Sequence, residues 1–187
     1  RGTIGGNICN ASPAGDTLPM WYALSAEVEL QSLSDQGEIN IRTIPIREFI
    51  LGIRKIDRRK DEVLTAVRVP LSRLTEDTCF YYKKVGARRA EAISKLSFFG
   101  MAKYCEGRIA EIKIAFGAVG ITVVNPDEIG SLAIGLTSTQ LQEKRKEIAD
   151  ICMTYVKPID DQRSTAEYRK LTAERLLNDF IDRVINA

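Results

Sequence analysis

The opening segment sets short polar side chains and an acid around an adjacent glycine pair: Thr3-Ile4-Gly5-Gly6-Asn7-Ile8-Cys9-Asn10-Ala11-Ser12-Pro13-Ala14-Gly15-Asp16. Glycines without Cβ let a backbone approach a bulky anion, and their N–H groups can cradle a phosphate. A carboxylate such as Asp16 can accept hydrogen bonds from ribose or ring donors. The combination points to a nucleotide clamp. A second constellation lies in the run Phe80-Tyr81-Tyr82-Lys83-Lys84-Val85-Gly86-Ala87-Arg88. On a strand, Lys84 shares a face with Phe80 and Tyr82, which directs a cation at a bound phosphate or leaves it as a lysine snorkelling from a strand end.

The chain has 187 residues and no histidine. That removes His-assisted nucleophilic catalysis and imidazole metal sites. Cys9, Cys79, Cys105 and Cys152 show neither a C-x-x-C pair nor iron–sulfur spacing, and they read as buried apolar residues in a reducing compartment. Redox chemistry would need a non-covalently held organic cofactor or a partner chain. A formal net charge of +2 gives no electrostatic case for nucleic acid or an anionic membrane. Apolar content of 44% is ordinary. There is no apolar run of membrane-spanning length and no signal-peptide region, so the expectation is a soluble, cytoplasmic protein.

The elements that must position these residues follow from periodicity. Leu18, Trp21, Tyr22 and Leu24 predict a helix over 18–26, with Asp16 or Thr17 at its N-cap. Val28 and Leu30 alternate with Glu27, Glu29 and Gln31. After the turn signal Ser34-Asp35-Gln36-Gly37, Ile39 and Ile41 alternate again, so a β-hairpin is expected that Pro45 ends. One helical turn follows over 47–51, and the charged run 54–61 reads as a solvated loop. In a strand over 63–69, Val63, Thr65, Val67 and Val69 form the expected core face and Leu64 the opposite one. The polar stretch 70–77 is the candidate linker. Beyond it come a strand over 79–85, an antiparallel pair over 96–104 and 108–117 joined at Glu106-Gly107, and a short strand over 121–124. Helices over 138–155 and 164–185 close the chain, the second opening with the capping box Ser164-x-x-Glu167. Strands followed by helices indicate α+β.

The opening string resembles the Thr-Ile-Gly-Gly-Asn-(x)-x-Asn-Ala-Ser-Pro-x-x-Asp segment of flavin subunits in the xanthine dehydrogenase and carbon monoxide dehydrogenase family, where it is the second FAD-binding loop. Three further stretches extend the resemblance along the chain: Glu62-Val63-Leu64 through Pro70, Phe80 through Ile93, and Asp161-Gln162-Arg163 through Tyr168-Arg169. The resemblance implies the second half of a two-subdomain FAD-binding fold over 1–70, then a small C-terminal α+β domain over 77–187 with a three-stranded antiparallel sheet and C-terminal helices. Its implied cofactor is FAD. Thr3, Ile4, Gly5, Gly6 and Asn7 would line the diphosphate and ribityl region, with Asn10 in the same loop. Asp16 and Lys84 would be polar anchors, and Leu64 would cover a ring face. Lys83 is the one-residue alternative to Lys84, and Leu64 has a plain core alternative. Arg54 falls where some relatives place a basic residue near the flavin, and Arg58 at a ring position that is apolar in some members. In the tail, Tyr168 is expected to pack and Arg163 to tie loop to helix.

The function so implied is an FAD-binding electron-transfer subunit of a molybdopterin-dependent dehydrogenase or hydroxylase. Electrons would pass from 2Fe–2S clusters through FAD to an external acceptor such as NAD⁺ or a quinone. The implied partners are an iron–sulfur subunit and a molybdopterin subunit. Flavin subunits of this family also carry an upstream glycine-rich pyrophosphate loop. The chain opens at Arg1 without one, entering directly on a strand-like Thr3-Ile4, so a missing segment or a separate polypeptide is expected to supply it. The alternative from another class is a non-catalytic interaction or assembly module that keeps the fold without flavin. The intact set Gly5, Gly6, Asn7, Asp16 and Lys84 argues against that alternative.

Overall fold

The computed structural model describes residues 2–89 and 91–187. The glycine segment is helical. Helix α1 (Ile4–Asn10) begins because Thr3 Oγ1 accepts the Gly6 N–H at 3.0 Å, an N-cap that converts the expected extended Thr3-Ile4 entry into a first turn. It stops at Ala11, which turns left-handed with φ 44°. Helix α2 (Leu18–Ala23) is shorter than its apolar spacing predicts, since Ser25 turns left-handed with φ 51°. Thr17 stands at its N-cap, yet its hydroxyl donates to Asn7 Oδ1 at 2.7 Å and accepts no backbone N–H of the helix.

The expected hairpin forms from β1 (Glu27–Leu33) and β2 (Ile39–Pro45), followed by the turn α3 (Ile46–Phe49). A small ribbon, β3 (Ile50–Gly52) with β4 (Lys55–Ile56), occupies part of the expected charged loop. Strand β5 (Val63–Arg68) then completes a three-stranded antiparallel sheet in the order β2-β1-β5. In β5 the expected facing is corrected. Leu30 pairs with Leu64 while Glu29 pairs with Ala66, so Thr65 is an extra residue in a β-bulge. The bulge switches the alternation: Leu64, Val67 and Val69 all pack on the first core, while Val63 is 64% exposed.

The loop that leads into β5 is pinned by a buried acid. Glu62 Oε1 and Oε2 accept from Arg42 Nε at 2.5 Å and Nη2 at 2.8 Å, and the Arg59 N–H adds a bond at 2.7 Å. These donors, Arg42 first, outweigh burial and hold the Glu62 carboxyl down to about 2 from an ordinary 4.5. A carboxyl lowered in the folded state stabilises fully above its unfolded value, and that contribution is lost as pH falls through about 2. The melting-temperature gap between the wild type and Glu62→Gln is therefore expected to be constant above pH 4.5 and to close towards about 2. Melting curves across that window check it.

The second half is built on β6 (Thr78–Val85), β7 (Leu96–Cys105) and β8 (Arg108–Gly117), a three-stranded antiparallel sheet in that order. Glu106 and Gly107 both take positive φ, 52° and 74°, the turn whose twist suits a two-residue hairpin. The expected strand over 121–124 is absent. Its place holds a single bridge between Phe116 and Val124, because α4 (Glu128–Ala133) follows almost at once. Helix α5 (Ser138–Tyr155) has the predicted extent and a capping box of Thr137 with Gln140. Helix α6 (Ala166–Ile185) is capped by Thr165 Oγ1, so Ser164 is not the cap and no Ser164–Glu167 box forms.

The second sheet is buried on both faces. Phe98, Ile112, Ile114 and Phe116 pack against α5 and α6 through Ile148, Cys152, Leu177 and Phe180. On the opposite face Phe99, Met101 and Ala115 join Leu18, Tyr22 and Phe49 of the first half in one cluster. Residues far apart in sequence thus meet over a common hydrophobic layer, which is what brings Asp16 to Lys84. Of the cysteines, Cys152 is buried and Cys9 and Cys79 are half-buried, but Cys105 is exposed, contrary to expectation. No described helix is long and apolar enough to cross a membrane.

Candidate functional site

Asp16 and Lys84 meet directly. Strand alternation sends Lys84 to the face of β6 shared with Phe80 and Tyr82, and its Nζ donates to Asp16 Oδ2 at 2.6 Å. The side chains of Lys84 and Asp16 remain 33% and 35% exposed, so the pair is reachable from outside. Ser94, just before β7, donates to Asp16 Oδ1 at 2.5 Å. Tyr82 adds a longer bond, 3.4 Å, to the Asp16 carbonyl oxygen. Burial pushes the Tyr82 phenol up, with the Asp16 charge as the smaller cause, so this hydroxyl keeps its proton. The Asp16 carboxylate is therefore not the helix cap: its oxygens look across to the second half of the chain.

The glycine helix sits beside this pair. A Cβ on Gly5 would stand 3.6 Å from Leu64 Cδ2, so the glycine face of α1 rests against the Leu64 side chain. A Cβ on Gly6 would come within 2.9 Å of Thr3 Oγ1 and disturb the cap. Asn7 is locked by the Thr17 hydroxyl, which in turn accepts from Trp21 Nε1 at 3.1 Å. That Asn7–Thr17–Trp21 chain ties α1 to α2 and fixes Asp16 between them. Thr3 and Ile4 are exposed at the start of α1. Burial pushes the Cys9 thiol up, partly offset by the Arg58 charge, which keeps the thiol neutral.

Asn7 and Asn10 also open onto a cleft of about 610 Å³ lined by Arg54, Lys157, Arg163 and Arg169 together with the Asp161 carboxylate. Arg54 is set there by a left-handed turn, φ 55°, and by its N–H bond to the Ala11 carbonyl at 3.1 Å. Arg58 does not line this cleft and donates to the Glu62 carbonyl at 2.5 Å. In the tail the expected tie is corrected. Arg163 chelates Asp161 within the loop, whereas buried Arg169 joins α6 to the Ile159 carbonyl at 3.0 Å and to Asp161 at 2.7 Å. Tyr168 lies at the surface with Lys95 Nζ 5.1 Å above its ring. Ser94, Thr17 and Trp21 were not marked by the sequence. Thr17 and Trp21 read only as a cap and a helix residue, and the bonds that matter, Thr17 to Asn7 and Ser94 to Asp16, are made to other elements.

The chain is thus an α+β protein whose part-exposed acid–lysine pair joins its two halves beside a glycine helix faced by an aliphatic side chain. Residues 1–72 match the family described as FAD binding domain in molybdopterin dehydrogenase, and residues 80–184 match the CO dehydrogenase flavoprotein C-terminal domain. The chain belongs to the CO dehydrogenase flavoprotein family. It is 38% identical over 122 residues to xanthine dehydrogenase of Oryza sativa subsp. japonica, covering 63% of this chain and 8% of that protein. It is 31% identical over 169 residues to the glyceraldehyde dehydrogenase medium chain of Sulfolobus acidocaldarius, covering 90% of this chain and 56% of the relative. The fold is shared with reconstituted CO dehydrogenase from Oligotropha carboxidovorans: TM-score 0.84, 24% identity, 99% of this chain and 61% of that chain covered. The chain thus spans less than two thirds of each of these relatives' lengths.

Proposed function

We infer that this chain is the flavin-binding part of a molybdenum-containing dehydrogenase or hydroxylase. In this reading it holds FAD in a soluble cytoplasmic complex, takes electrons from the 2Fe–2S clusters of an iron–sulfur subunit served by a molybdopterin subunit, and passes them to an external acceptor. The observation that carries the reading is the Asp16–Lys84 pair, 2.6 Å apart, standing open beside the Gly5–Leu64 contact. Bound FAD would supply the one- and two-electron chemistry that links single-electron clusters to a two-electron acceptor.

The residues fit such a group. Gly6 is exposed on α1 and carries no side chain there, so a diphosphate can approach the helix backbone. Thr3, Ile4 and Asn7 border the same stretch, and Leu64 offers an aliphatic surface to a planar ring. Asp16 accepts hydrogen bonds from N–H or O–H donors of the cofactor, while Lys84 balances its charge. Asn10 and Arg54 add a polar and a cationic group at the cleft beyond. No residue here has to act as acid or base towards the organic substrate, which belongs to the molybdopterin subunit.

The test is the visible absorbance spectrum of the protein purified at native level with whatever remains bound. Flavin bands over a broad iron–sulfur absorbance are expected. A colourless preparation with its partner chains present would leave the non-catalytic assembly module standing instead.

A further inference from the structure

The Asp16 carboxylate is held at both oxygens by the two ends of one loop. Lys84 stands near the close of β6 and takes Oδ2 at 2.6 Å. Ser94 stands before β7 and donates to Oδ1 at 2.5 Å across a separation of 78 residues. The loop ends are clamped to each other, for the Lys95 N–H donates to the Val85 carbonyl at 2.8 Å. The two partners of Asp16 differ in freedom. Lys84 is a long, part-exposed side chain that can follow a carboxylate as it swings. Ser94 is fully buried, with a single heavy-atom torsion, and cannot follow. Lys84 therefore supplies charge, while the Ser94 hydroxyl sets the rotation of the carboxylate about its Cβ–Cγ bond.

We propose that Ser94 is a positioning residue for the cofactor site, acting through Asp16. A carboxylate offers about four lone-pair directions. Ser94 and Lys84 use one on each oxygen, and the remaining two leave through the exposed part of the side chain towards a cofactor donor. With the rotation fixed in advance, flavin binding does not have to order this group. The inference rests on Asp16 being a flavin contact, and its test separates the two.

The assembled holoenzyme is stripped of flavin and titrated with FAD, reading the dissociation constant by quenching of FAD fluorescence and the melting temperature alongside. Ser94→Ala is expected to raise the dissociation constant about fivefold to tenfold, the scale of one ordinary hydrogen bond, because the lost bond orients Asp16 and does not touch the flavin. In an Asp16→Ala background the same substitution should add less than about twofold, because the group it orients is gone. Ser94→Thr, which keeps the hydroxyl, should stay within about twofold of the wild type. An equal effect of Ser94→Ala in both backgrounds overturns the proposal, as does a Ser94→Thr affinity as low as that of Ser94→Ala. If Asp16→Ala weakens FAD binding and Ser94→Ala does not, the Ser94 role fails while the cofactor reading stands. If Asp16→Ala changes nothing, Asp16 is no flavin contact and both fail together.

Discussion

Replacing Asp16 with alanine is expected to raise the FAD dissociation constant about 10- to 100-fold, the range given by losing hydrogen bonds to a charged acceptor. The same change should have little effect on folding. The Asp16–Lys84 pair is about one third exposed on each side, and an ion pair in that setting contributes about 1 kcal/mol or less. Lys84, released, remains hydrated. The buried Ser94 hydroxyl loses its acceptor, but a hydroxyl rotates to suit what is near. Affinity and stability should therefore separate, with a large change in the first and a shift of a few degrees in melting temperature. Fluorescence titration of the flavin-stripped holoenzyme measures the affinity, and a thermal melt without FAD measures the fold. Unchanged affinity would remove Asp16 from the flavin site, whereas a collapse of the melt would make it a structural residue.

The opposite pattern is expected for Phe180→Ala. Phe180 is fully buried at the centre of the second core, its ring 5.7 Å from Phe98 and stacked with Tyr81 at 6.5 Å. Beneath it lies Gly100, where a Cβ would stand only 2.8 Å from the ring carbons, so the glycine is what makes room for the phenylalanine. Removing the ring leaves a cavity floored by a residue with no side chain to relax into it. Collapse is then minimal, and the cost falls within the roughly 3–5 kcal/mol seen for buried aromatic truncations. At this chain length that corresponds to a fall of roughly 6–20 °C in melting temperature. Phe180 packs on the helix face of β7, while Lys84 and Phe99 occupy the other face, so FAD affinity below the transition should be unchanged. Melting curves with and without FAD check both parts. A small shift would mean that the core repacks around Gly100, and a loss of affinity would mean that the two faces of the sheet are coupled.

Much of this protein is legible locally. The hairpin over β1 and β2 followed from alternation and a turn signal, and β6, β7, β8, α5 and α6 stand close to their expected spans, because long periodic runs dictate their own periods. The motif at Thr3–Asp16 and the lysine on the Phe80–Tyr82 face could be found because their chemistry is compressed into short strings. Elements whose form turns on one side-chain bond or one extra residue are not legible in this way. Thr3 capping Gly6 turned an extended entry into a helix, and Thr165 displaced Ser164 as a cap. A bulge at Thr65 put Leu64 on the core side.

By itself the sequence determined the α+β class, most of the strands and helices, and which residue types a nucleotide cofactor would need. Only the tertiary structure decided how those residues meet. The pairing of Asp16 with Lys84, the approach of Gly5 to Leu64 and the arrival of Ser94 on Asp16 all depend on the second sheet being covered by the first half on one face and by α5 and α6 on the other. Periodicity records how a segment faces its own core. It carries no record of which distant segment lies across that core, because hydrophobic burial is non-directional and any complementary apolar face would satisfy it. The partner is selected by packing of the whole chain, and the site is assembled there.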